Sequence, residues 1–291
     1  MNEKPIATPK RTADILQKHG FSVKKSLGQN FIVDVTILQH IIQKADIHQL
    51  SGVIEVGPGI GALTEQLAKV AKTVVAYEID NRLFPILNDT LRDYNHIKVI
   101  HQDILEADVS AMMETYFDEN QPVHVVANLP YYITTPILIK LLREDLPVSS
   151  FTVMIQKEVA QRMAAGPNSK AYGSLTIAIQ YYTDAKVVMN VPKGVFMPSP
   201  NVDSSVLKLT KKTEPPVKVD DEDYFFSVVQ ACFAQRRKTL RNNLRHYFGT
   251  SVNKEMISDV LLDTGIDPQR RGESLAMEEF AALANVLYRT F

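Results

Sequence analysis

The sequence predicts an α/β fold: a mostly parallel, seven-stranded sheet wrapped in helices, with an antiparallel edge and a small all-α domain after it. Three observations predict it. From residue 53 to about 156, short apolar runs of buried-strand type alternate with helical segments. The first run ends in a glycine-rich turn, Gly57-Pro58-Gly59-Ile60-Gly61, that opens a helix. Beyond Lys211 to Pro216, with its two prolines, the apolar spacing is helical and no strand signal returns.

Taken in order, Thr8-Pro9 reads as an N-cap with proline at the first helical position, and His19-Gly20 as that helix's end. A basic N-terminal arm thus occupies residues 1–20. A loop from Lys24 to Phe31 follows, and Asp34 caps a helix through about Ala45. Strands are predicted at Val53 to Val56, Thr73 to Tyr77, Ile97 to His101, Val123 to Ala127 and Phe151 to Gln156. Two more, Lys186 to Val191 and Ser205 to Leu209, suit an antiparallel pair at one edge. The domain boundaries are set at 21–212 for the sheet domain, 213–219 for a linker and 220–291 for the helical domain.

Length and composition suit a soluble globular chain of 291 residues, 45% of them apolar. Met1 to Pro5 has no apolar leader core, and no run approaches the roughly 18 apolar residues a membrane span requires. The single cysteine, Cys232, excludes an internal disulfide and a cysteine-spaced metal cluster, so no metal is expected and the cytoplasm is the expected compartment. The net charge of -1 hides local basic surfaces. No acid occurs from Tyr224 to Lys254, a stretch that also holds Arg236, whereas Arg237, Lys238, Arg241 and Arg245 there, with Lys24 and Lys25 of the basic arm, stand out as basic surface. These are the candidate RNA contacts.

At the Gly57 turn, glycines let a ligand approach the backbone, and Glu78, about 20 residues on at the next strand's end, can accept from ribose hydroxyls. Gly57-x-Gly59-x-x-Ala62 also fits a dinucleotide fingerprint, so the turn alone leaves both ligands open. Val125 to Ala127 then stops at Asn128-Leu129-Pro130-Tyr131. The lone pair of adenine N6 is delocalised into its ring. The side-chain carbonyl of Asn128 and the main-chain carbonyl of Leu129 can both accept from that amine, favouring a pyramidal nitrogen that attacks a sulfonium methyl. Tyr131 offers a face for an extruded base. Hydride transfer has no use for such a turn.

Further segments carry a family resemblance: Ser26 to Phe31, Glu55 to Gly61, Asn128 to Tyr132, Gln156 to Val159, Tyr172 to Leu175, Val195 to Ser204 and Phe233 to Lys238. Together they resemble the small-subunit ribosomal RNA adenine dimethyltransferases, across nearly the whole chain. Ile32 departs from the leucine common there. The resemblance implies a Rossmann-like class I methyltransferase using S-adenosylmethionine to dimethylate two adjacent adenines near the 3′ end of 16S rRNA in an assembling small subunit. It implies cofactor contacts from Gln29, Asn30, Ile32, Gly57, Gly59, Glu78, Asp103 and Asn128, and Phe196 as a second stacking residue. From the residues alone, Asp103 reads equally as a turn cap and Phe196 as core.

Cys232 follows alanine in an apolar helical pattern, unlike the nucleophile of cytosine-C5 methyltransferases, so positioning rather than covalent catalysis is expected. Read as one helix, Phe225 to Phe248 places Arg237, Lys238, Arg241 and Arg245 on one arc. Arg236 falls on the apolar side, which requires a carboxylate partner or a break in the helix. The rival functions are a large-subunit rRNA adenine methyltransferase of the resistance type and a non-catalytic RNA-binding assembly factor. A monomer is expected.

Overall fold

In the computed structural model, the described residues are 4–24, 27–249 and 252–291, and they form two compact units. The first holds residues up to Ala160 together with Asp184–Lys211. It opens with α1 (Pro9–Lys18), capped by the Thr8 hydroxyl, and α2 (Val35–Lys44), capped by Asp34. Ile6, Ala7 and Ile15 are buried in the core of this unit, so the basic arm is anchored by an apolar underside rather than standing off as a separate segment.

Val53, Ile54 and Val56 make a stiff, wholly buried central strand, β2 (Gly52–Val56). It pairs in parallel with β3 (Thr73–Glu78) on one side and β5 (Val123–Asn128) on the other. The parallel set is completed outward by β4 (Ile97–His101) and β6 (Val148–Gln156). Beyond β6 runs antiparallel β9 (Ser204–Lys211), and β7 (Thr183–Val191) closes the seven-stranded order β4-β3-β2-β5-β6-β9-β7. Helices α3 (Ala62–Ala68), α4 (Phe84–Thr90), α5 (Val109–Tyr116) and α6 (Thr134–Arg143) link the parallel strands, giving the expected α/β architecture. A second sheet has no counterpart in the sequence reading: β1 (Phe31–Ile32) and β8 (Phe196–Met197) pair antiparallel, with Ile32 opposite Phe196.

The second unit holds residues 161–183 and 212–291. The division differs from the boundary read at residue 212, because α7 (Lys157–Met163) runs out of the sheet unit and α8 (Ser174–Tyr182) lies in the helical one. There Tyr172, Ile177 and Tyr181 share a core with Phe225, Leu240 and Phe280. The Tyr172 hydroxyl donates to the Leu275 carbonyl at 2.9 Å. The single helix expected from Phe225 to Phe248 is two, α9 (Glu222–Phe233) and α10 (Leu240–Phe248). Buried Asn243 donates to the Cys232 carbonyl at 2.8 Å and the Gln235 carbonyl at 3.2 Å, satisfying oxygens freed at the break. Arg236 lies in that break and donates to the Lys170 carbonyl, so the second alternative for it holds. Helices α11 (Lys254–Asp263) and α12 (Met277–Thr290) complete the unit.

Gly61, at φ +89°, caps α3, and a Cβ there would lie 3.1 Å from Thr90 Oγ1 and Leu91 Cδ2. Gly61→Ala is therefore expected to lose about 1–2 kcal/mol from the left-handed backbone alone. Urea denaturation of the ligand-free chain checks this, as a lower midpoint with an unchanged slope.

Candidate active site

Because β3, β2 and β5 are in parallel register, their carboxyl ends deliver Glu78, the Gly57 turn and Asn128 to one edge. A cavity opens there, and it is lined by Gln29, Asn30, Ile32, Gly57, Gly59, Glu78, Asp103, Asn128, Leu129 and Tyr131. Every expected cofactor residue and three of the four expected catalytic residues thus meet in one place.

The turn depends on glycine at Gly59, whose φ is +59° and whose absent Cβ would lie 3.1 Å from the Phe31 ring. The Gly59 N–H donates to Glu78 at 3.4 Å and the Asp80 N–H at 2.8 Å, which fixes both carboxylate oxygens. Burial raises the pKa of Glu78, opposed by those two main-chain donors. Asp103 uses Oδ1 to cap its own turn, accepting from the Leu105 N–H at 2.9 Å, while also lining the cavity; the turn-cap and cavity readings are compatible.

The N-terminal loop is tied down by charge. Arg82 holds Asp80 down to about 2, with help from the Gln29 amide. Gln29 Nε2 donates to Asp80 at 2.9 Å, and Gln29 Oε1 accepts from the Lys24 N–H at 2.8 Å. Arg82 also reaches the Ser22 carbonyl at 3.2 Å and sits 4.7 Å above the Phe21 ring. Asn128 Nδ2 donates to the Asn30 carbonyl at 3.3 Å, leaving the oxygen of the same amide available as an acceptor. On the other side of the turn, the Tyr131 hydroxyl meets Ser204 Oγ at 2.7 Å.

Phe196 does not line the cavity. Its pairing with Ile32 packs it into the core at 5% exposure, so the core alternative describes its position. Among the expected RNA contacts, Lys25 lies outside the described residues. Arg237 and Lys238 are exposed in the α9–α10 break, and Arg241 and Arg245 are on α10, with Arg245 donating to the Gly249 carbonyl. The break cancels the common angular phase assumed for the four, so they do not form one helical stripe. Cys232 is buried and its thiol is pushed up to about 12 by burial, as packing requires.

Among the lining residues given no role from the sequence are Glu55 and Tyr132. Glu55 is 1% exposed and its Oε2 has no hydrogen-bond partner. Among the described lining residues the ionisable acids are Glu55, Glu78 and Asp103, and there is no Lys, Arg or His. These carboxylates are acceptors, and the lining supplies no cationic side chain for an anionic ligand. A ligand with hydroxyl and amine donors and positive charge fits.

The family described as ribosomal RNA adenine dimethylase matches residues 20–283. A protein named ribosomal RNA small subunit methyltransferase A from Oceanobacillus iheyensis is 64% identical over 98% of this chain and 97% of its own. One of the same name from Bacillus mycoides is 59% identical over 98% of each. A dimethyladenosine transferase from Plasmodium falciparum has a similar structure, with TM-score 0.71 and 26% identity over 87% of this chain and 95% of that one. The 23S rRNA methyltransferase ErmE follows at TM-score 0.65 and 26% identity, over 89% of this chain and 100% of that one. Among the described residues no helix is long and apolar enough to cross a membrane.

Burial raises Glu55 from its ordinary 4.5 to about 8, with Glu78 adding and Thr64 opposing. The folded chain then binds this proton more tightly than the unfolded chain, so its contribution to stability is lost as pH rises from 4.5 to about 8. Glu55→Gln removes that loss. Relative to the parent, the variant's melting temperature is expected to rise between pH 5 and pH 8.5, and a constant difference would count against it.

Proposed function

The chain belongs to the ribosomal RNA adenine dimethylase family, and on that premise we propose that it methylates N6 of two adjacent adenines in a hairpin near the 3′ end of 16S rRNA. The donor is S-adenosylmethionine, and the substrate is RNA within an assembling small subunit. The observation that supports this most directly is that the Asn128-Leu129-Pro130-Tyr131 turn and the Glu78, Asp103 and Gly57 group line one cavity.

In this reading, Glu78 accepts from the cofactor ribose, Asp103 accepts from its adenine amine, and Gly57 and Gly59 let its methionine half approach the backbone. Gln29, Asn30 and Ile32 hold it from the N-terminal loop. When bound, S-adenosylmethionine supplies an electrophilic methyl group. Asn128 Oδ1 and Leu129 O accept from the target amine and direct its lone pair, while Tyr131, held by Ser204, offers its face to the extruded base. The second stacking role inferred for Phe196 loses support from its burial, so base stacking rests on Tyr131. Lys24, Lys25, Arg237, Lys238, Arg241 and Arg245 contact RNA phosphates from separate short segments. The enzyme acts as a monomer in the cytoplasm. The small-subunit target is favoured over the large-subunit one by 64% against 26% identity in the two kinds of relative.

Tyr131→Ala is expected to lower kcat/KM for methyl transfer to undermethylated small subunits by roughly 5- to 150-fold, the value of one base–aromatic stack, with cofactor affinity retained. Turnover equal to the parent's removes Tyr131 from the site. Combined Arg237→Ala and Arg241→Ala changes are expected to flatten the log–log salt dependence of RNA affinity by about 1.4 to 1.8 for two lost phosphate contacts. A salt titration with an unchanged slope would return these side chains to a purely solvated role.

A further inference from the structure

Tyr131 and Tyr132 are consecutive, yet they serve different sides of the turn. Tyr131 is half-buried and fixed by Ser204 on β9. Tyr132 is 58% exposed, although the neighbouring Leu129 is 2% exposed. A lone exposed tyrosine on a surface needs no explanation, but this one has a defined setting. Its ring carbons Cδ1 and Cε1 lie 3.5 Å from the point where a Gly28 Cβ would stand, so the ring rests against the N-terminal loop. It lines the cavity together with Asp103 and Glu78. Its hydroxyl is made harder to ionise by burial and then by the negative charge of Asp103 and Glu78.

The ring therefore runs from the β5 turn to Gly28, beside the two acids that take the adenosine half of the cofactor in the function proposed above. An aromatic face exposed next to acceptors for an adenine amine and a ribose is a stacking surface for a purine nucleoside. We propose that Tyr132 is the aromatic cover of the adenosine subsite, and that it sets how tightly the cofactor and its demethylated product are held. It acts as a positioning and retention residue, separate from the base-facing role of Tyr131. This inference rests on the assignment of the cavity to S-adenosylmethionine.

The test is calorimetric, on the full chain without RNA, with S-adenosylmethionine and 5′-methylthioadenosine as probes; the second carries the adenosine half but no amino acid. Tyr132→Ala is expected to weaken both by the same factor, roughly 5- to 150-fold, while Tyr132→Phe, which keeps the ring, stays within about three-fold of the parent. Thermal unfolding of the ligand-free variants checks that the fold is intact, and Tyr132→Leu replaces the alanine variant if it is not. Unchanged affinity of the alanine or leucine variant for both probes overturns the proposal, and a raised KM for RNA in that case assigns the ring to the substrate. Loss of S-adenosylmethionine affinity alone, with 5′-methylthioadenosine unaffected, also overturns it. A parent chain that binds neither probe refutes the cofactor assignment itself, a result separable from failure of the variants.

Discussion

The parallel registration of three strands is the constraint on which the site depends. Central β2 is buried along its whole length and hydrogen-bonds to β3 on one side and β5 on the other. Consecutive strands β2 and β3 are neighbours, whereas β5 arrives on the opposite flank, so a crevice forms where the chain reverses direction across the sheet. Glu78 and Asn128 are far apart in sequence, but each is the last residue of its strand. Backbone pairing therefore carries them to the same edge. The N-terminal loop then completes the wall through the amide of Asn128 and the charge network around Asp80.

That network is polar, which gives the loop a different kind of attachment from the sheet. Asp80 accepts from Arg82, Gln29 and the Arg82 main chain, and Arg82 continues to Ser22 and Phe21. The carboxylate is held ionised to about pH 2, so the tether keeps its charge through the whole neutral range. Glu55, on β2, behaves in the opposite way: burial, with Oε2 lacking a hydrogen-bond partner, favours its neutral form. The two acids illustrate how hydrogen bonding, more than proximity to the site, decides ionisation.

Most of the architecture was legible in the sequence because the central strands are buried on both faces and read as mainly apolar runs, interrupted only at Glu55 in β2 and His124 in β5. The residues lining the cavity were legible for a related reason, since strand ends and glycine turns are marked by local signals. What escaped notice lacked such signals. The pairing of Phe31–Ile32 with Phe196–Met197 involves strands of two residues, too short for any period. It was this pairing that drew Phe196 into the core. The break between α9 and α10 hid behind apolar spacing that continued across it; the misfit of Arg236 was the one visible clue. Residues 161–183 joined the helical unit through Tyr172, Ile177 and Tyr181, a tertiary preference that chain order does not reveal. Glu55 was read as part of a glycine motif, and nothing local distinguishes a buried orphan carboxyl from a solvated one.

The absence of any lysine, arginine or histidine from the described lining, beside Glu78 and Asp103, also has a consequence for competition inside a cell. Adenosine is a component of many abundant metabolites, and the stacking and hydrogen-bonding groups that hold it do not by themselves discriminate among them. ATP brings a polyphosphate tail whose negative charge finds no lysine or arginine among the described lining residues to neutralise it. A cofactor carrying positive charge on its tail meets the reverse situation. The selectivity is thus written into the sign of the pocket, by exclusion as much as by attraction.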